Sequence, residues 1–136
     1  MPLNKLTNDD LIIEKYPDIR MKTVSEILSE QGYRTCLIHT GGLGYVGQKR
    51  FLKNRKFDRI LEAGDLMKIT PYKKVIGWGI DERAMIRPSV DFMKEDAGRP
   101  FLMVYLPVNP HHPYIIPDES FRITGKYAGD SAENKG

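Results

Sequence analysis

The stretch Thr23-Val24-Ser25-Glu26-Ile27-Leu28-Ser29-Glu30-Gln31-Gly32, followed by Tyr33-Arg34-Thr35-Cys36-Leu37-Ile38-His39 and Thr40-Gly41-Gly42, reads as helix, strand and glycine loop in direct succession. Thr23 and Glu26 have the spacing of a capping box, in which hydroxyl and carboxylate each accept from the other residue's backbone amide. Val24, Ile27 and Leu28 recur at helical spacing, and Gly32 stands where a left-handed residue closes a helix. The residues up to His39 are rich in apolar and β-branched types and stop at a glycine pair, as a buried strand does.

Downstream, Val46, Phe51 and Leu52 among five cations predict a short helix between Val46 and Phe57, with one basic side. Arg59-Ile60-Leu61-Glu62-Ala63 reads as a second short strand. From Glu62 to Gly79 there is no clear period, and the segment is expected to be irregular. Asp81 is placed to cap a helix reaching about Asp96, bent or divided by Pro88. Phe101-Leu102-Met103-Val104-Tyr105-Leu106 is an unbroken apolar run flanked by prolines, expected to lie centrally in a sheet. Strands alternating with helices predict an α/β class: a partial doubly wound parallel sheet with flanking helices. The expected organisation is an irregular arm over 1–21, the α/β segment over 22–117 and a polar, frayed tail over 118–136.

The 136 residues suffice for one domain, and with 40% apolar and 29% charged residues they fall outside the disordered range. No apolar run is long enough to span a membrane, and the first residues lack a secretory signal pattern. A single cysteine excludes an internal disulfide framework and a multi-cysteine zinc site. The formal charge of +3 falls short of the one-sided excess that by itself points to nucleic acid.

Parallel α/β sheets bind ligands at the carboxyl ends of their strands. His39 closes one strand, and His111 and His112 follow shortly after Leu106 at the end of another. Imidazoles there can donate to an anionic oxygen, ligate a metal or move a proton, or can simply be loop residues with ordinary hydrogen bonds. Tetrahedral zinc binding by the three histidines is not expected, because nothing in their spacing brings them together. Gly41-Gly42-Leu43-Gly44 fits neither the dinucleotide nor the phosphate-loop pattern and reads as a turn. Lys49, Arg50, Lys53, Arg55 and Lys56 form either a solvated helix face or an anion-attracting one, and Arg50 is the candidate for anion contact. Cys36, inside a strand, reads as a buried inert thiol. Asp81 and Glu82, after Trp78-Gly79-Ile80, read as helix-start carboxylates.

In order, Thr23 to Leu28, Gly32-Tyr33-Arg34-Thr35, His39 with its glycines, Phe57-Asp58, Trp78-Gly79-Ile80-Asp81-Glu82, Pro100-Phe101-Leu102 and His111-His112-Pro113-Tyr114 resemble the central part of a sulfatase-family protein. The resemblance covers about residues 22 to 117. It is nearest to the branch of the alkaline phosphatase superfamily that holds lipoteichoic acid synthases and phosphoglycerol or phosphoethanolamine transferases. It implies a fragment of an alkaline-phosphatase-like fold, in which His39, His111 and, by a looser alignment, Arg50 contact a sulfate or phosphate ester. Imidazole and guanidinium donors suit an oxyanion that gains charge in the transition state. The resemblance also implies a divalent metal ion in the full-length parent, often extracytoplasmic or membrane-anchored, with the missing remainder of the catalytic domain as a partner. The soluble-sulfatase pattern Gly-Lys-Trp-His-Leu-Gly is absent, as are a family nucleophile and an Asp-His-Gly metal motif. The expectation is therefore a segment inactive alone, with no metal of its own. The alternative is a noncatalytic α/β module that holds an anion or nucleic acid on segment 49–56.

Overall fold

The computed structural model describes residues 11–109, 111, 115–118 and 120. In chain order they form α1 (Ile12–Lys15), α2 (Val24–Glu30), β1 (Arg34–His39), α3 (Gln48–Leu52), β2 (Arg59–Leu61), α4 (Ala63–Ile69), β3 (Val75–Ile76), β4 (Gly79–Ile80), α5 (Ile86–Glu95) and β5 (Phe101–Leu106). Short 3-10 turns at Tyr45–Gly47 and Glu82–Met85 precede α3 and α5.

The capping box forms as its spacing requires: the Thr23 amide donates to Glu26 Oε2 at 2.8 Å, and the Glu26 amide to Thr23 Oγ1 at 3.4 Å. Gly32 takes φ +83°, and the chain turns directly into β1. Yet α2 turns Val24 and Ile27 to solvent and buries Ser25, whose hydroxyl donates to the Arg55 carbonyl at 2.7 Å.

β1 pairs in parallel with β2 through Cys36↔Arg59 and Ile38↔Leu61, and with β5 along its whole length from Arg34↔Phe101 to His39↔Leu106. The sheet order is β2-β1-β5. The expectation that Phe101–Leu106 would be central is thus corrected. β1 holds the centre, with five of its six residues buried, whereas β5 is an edge on which Phe101 and Tyr105 are exposed. Hydrophobicity alone marks a strand as buried and does not say which neighbour it has on each side.

Glu62–Gly79 is not irregular, a second correction. α4 opens on a capping box between Glu62 and Asp65 and places Leu66 in the core. The carboxylate cap, in place of the commoner Ser or Thr, concealed its start. Val75–Ile76 pairs with Gly79–Ile80 as an antiparallel hairpin over the two-residue turn Gly77-Trp78, with Gly77 at φ +57° as a type II′ turn requires. Asp81 Oδ1 accepts from the Arg83 amide at 2.9 Å and caps the 3-10 turn. The helix divides ahead of Pro88, which falls in the first turn of α5, where its missing N–H has no intrahelical partner to lose.

Cys36 and Ile38 of β1, Leu66 of α4, Ile80 of β4, Ala84 of the 3-10 turn and Phe92 of α5 form the core, with Met103 and Leu61 packed against it. Leu37, between Cys36 and Ile38, is buried too, so both faces of β1 are covered. Arg34 ties β1 to α5: its guanidinium donates to the Phe92 carbonyl at 2.6 Å and lies over the Phe92 ring. These contacts hold the carboxyl edge of the sheet, where both described histidines lie, on a rigid base. No helix among the described residues is long and apolar enough to cross a membrane. Most of the predicted 118–136 tail lies outside the described residues.

Candidate anion site at the carboxyl edge of the sheet

Parallel pairing in register brings the ends of β1 and β5 side by side, so that the loops leaving them share one edge. Thr40, fully buried, joins them. Its amide donates to the Leu106 carbonyl at 3.3 Å, its hydroxyl accepts from the Val108 amide at 3.1 Å, and its carbonyl accepts from the Ile80 amide at 2.8 Å. One residue thereby fixes the loop after β1, the loop after β5 and the β3–β4 hairpin.

The His39 Nδ1 lies 2.7 Å from the Leu106 carbonyl oxygen. A carbonyl only accepts, so Nδ1 carries a proton there, and Nε2 is the ring nitrogen left for another partner. Around Nε2 the space is close: a Cβ on Gly41 would stand 3.0 Å from it and 3.0 Å from Val108 Cγ2. Three residues beyond Val108, the His111 amide donates to the Val108 carbonyl at 2.9 Å, closing a turn. The His111 ring stacks on Trp78, with centroids 4.1 Å apart. His112 lies outside the described residues.

Arg50 is ion-paired with Asp18. Two other cations of 49–56 are likewise ion-paired: Lys49 with Glu62 at 2.9 Å and Lys56 with Glu30 at 3.0 Å. Arg55 is buried, donating to the Met21 carbonyl at 3.0 Å and the Ile19 carbonyl at 2.8 Å. Glu62 also accepts from the Leu43 amide at 2.9 Å and so shapes the loop after His39. The Lys49 ammonium first, then that amide, hold the Glu62 carboxyl below the ordinary carboxylate range.

Sequence reasoning missed three contributors here. Thr40 looked like one more loop residue, and its role depends on three partners far apart in sequence. Trp78 had no role beyond preceding the helix-start carboxylates Asp81 and Glu82, although a lone tryptophan between two glycines is itself a signal. Glu82 Oε1 accepts from the Asn109 amide at 2.7 Å, tying the loop after β5 to the helix start, while the side-chain amide of Asn109 is buried without a partner.

Among the described residues no three His, Cys, Asp or Glu side chains gather as metal donors. The described residues do not fit a divalent ion.

The family model described as Sulfatase matches residues 4–135. Phosphoglycerol transferase I of Xanthomonas axonopodis pv. citri (strain 306) is 26% identical over 96 residues, covering 68% of this chain and 14% of that protein. Its counterpart in Xanthomonas euvesicatoria pv. vesicatoria (strain 85-10) is 25% identical over 96 residues with the same coverage. The lipoteichoic acid synthase LtaP from Listeria monocytogenes matches in structure with a TM-score of 0.69 at 18% identity, over 82% of this chain and 27% of that one. A protein in the alkaline phosphatase superfamily from Vibrio parahaemolyticus matches with a TM-score of 0.61 at 25% identity and the same coverage. The chain thus spans 14% of the length of the curated relatives it matches. A family match over nearly every residue, with the strands and both histidine loops inside it, means that this chain belongs to the sulfatase family.

Proposed function

We propose that this chain supplies the substrate-side anion grip of a sulfatase-family enzyme that transfers or hydrolyses phosphate esters of the phosphoglycerol type. His39 and His111 are the gripping residues. The observation that carries the reading is the His39 ring: the Leu106 carbonyl claims Nδ1–H and leaves Nε2 as the group that can meet a ligand. When protonated, Nε2–H donates to a non-bridging ester oxygen. When neutral, it presents a lone pair that repels the same oxygen and accepts a proton instead. Prepositioned donors of this kind stabilise the charge that builds on a tetrahedral centre during transfer. Nucleophile activation would belong to a complete site with a divalent metal, and the residues described here would perform only the holding and the proton exchange. The chain by itself is accordingly inactive toward phosphate or sulfate esters. Arg50 joins the grip only by exchanging Asp18 for the ligand. The ion pairs along 49–56 favour this reading over a cationic binding face.

The test is calorimetric titration of the chain with sulfate. Affinity is expected to be lost in His39→Gln. Binding that is indifferent to His39→Gln would remove the reading.

A further inference from the structure

Trp78 is the chain's one tryptophan and is 60% exposed, at the tip of the β3–β4 hairpin. Its ring is nonetheless engaged. It stacks on the His111 imidazole with centroids 4.1 Å apart and planes inclined by 30°, and meets the Tyr45 ring edge-on at 6.4 Å. The indole is held from below by backbone. Gly77 makes the tight turn at φ +57°, and the Ile80 amide binds the Thr40 carbonyl at 2.8 Å. Gly79 lies so close to that carbonyl that a Cβ would come within 2.4 Å of its oxygen. The hairpin carrying the indole and the loop carrying the imidazole are thus fixed to the same residue, Thr40, the neighbour of His39 in sequence, and the two rings stack on each other.

We propose that Trp78 is a positioning residue for His111, its indole fixing the plane of the imidazole as a donor toward an anionic ester oxygen. The inference rests on the function proposed above. A histidine in an exposed turn otherwise samples several rotamers, and ordering it before the ligand arrives removes that entropy from binding. The face of an indole is also electron-rich and favours a cationic ring lying over it.

Because the indole is the only one in the chain, its emission reports the stack directly. The emission is expected to change in His111→Gln and to stay as in wild type in His39→Gln. Sulfate affinity is expected to fall about fivefold in Trp78→Ala and to stay within about twofold of wild type in Trp78→Phe, since an aromatic face restores the stack. Emission unaltered by His111→Gln, or full sulfate affinity in Trp78→Ala, overturns the inference. Wild-type protein that binds no sulfate while its emission still depends on His111 would instead remove the anion-grip reading and leave the stack standing.

Discussion

Gly41 has little freedom beside the candidate site. Its missing side chain leaves the space that the His39 ring and Val108 close to 3.0 Å of an added Cβ. Gly41→Ala is therefore expected to push the imidazole off its Leu106 carbonyl and to weaken sulfate binding about fivefold, roughly 1 kcal/mol. Stability should change by no more than about 1–3 kcal/mol, the usual range for overpacking. Titration calorimetry and a thermal melt on the same protein separate the two effects, and unaltered affinity would show that Nε2 is not the donor. Cys36 makes the opposite kind of prediction. Burial in the core pushes its thiol up to about 11, so native protein should react with a thiol reagent at neutral pH only through unfolding. The proton is held more tightly in the folded chain than in the unfolded one. The resulting stabilisation is complete below the free-thiol range and disappears as pH climbs toward that value. Rapid native-state labelling would contradict the buried assignment.

The β3–β4 hairpin is the element on which the site's third wall depends, and its tolerance is set by Gly79. An alanine there drives Cβ into the Thr40 carbonyl, which cannot move without breaking the Ile80 and β1 contacts. Gly79→Ala should cost about 1–3 kcal/mol and detach Trp78 from His111, readable as lost stability together with a changed indole emission. Gly64→Ala in α4, with nothing within 4 Å of the added Cβ, should be neutral or stabilising by about 0.5–1 kcal/mol. Equal effects at the two positions would refute the close approach. The hairpin also shows where reading the sequence stops. Features set within a few residues were legible: the Thr23–Glu26 box, the Gly32 stop, the apolar strands β1 and β5, and the Asp81 cap. Placing His39 and His111 at the carboxyl ends of two strands followed from the same local patterns. What stayed hidden required partners distant in sequence: Thr40 joining three segments, the indole beneath His111, the pairing of Arg50 with Asp18. The placement of β5 at an edge was hidden too, since its composition records burial without naming neighbours.

That edge governs how the whole chain behaves in water. Along β5 the Pro100 carbonyl accepts from the Arg34 amide and the Leu106 carbonyl from the Thr40 amide, so the even-numbered residues direct their backbone groups to β1. In a parallel ladder the odd-numbered ones, Phe101, Met103 and Tyr105, then direct theirs outward. Among the described residues no strand pairs with that outer side. Exposed apolar rings on Phe101 and Tyr105 lie along the same strand, and Val24 and Ile27 expose further apolar surface on α2. An apolar edge with a row of open amides and carbonyls is a template for pairing with another strand. The chain on its own should therefore self-associate between about 1 µM and about 100 µM, as measured by sedimentation velocity. Phe101→Pro, at the first and exposed residue of β5, removes an outward amide and no bond to β1, so it should shift the association to higher concentration while circular dichroism keeps the α/β spectrum. A wild-type chain that remains monomeric across that range would mean that the outer side of β5 is already covered in solution.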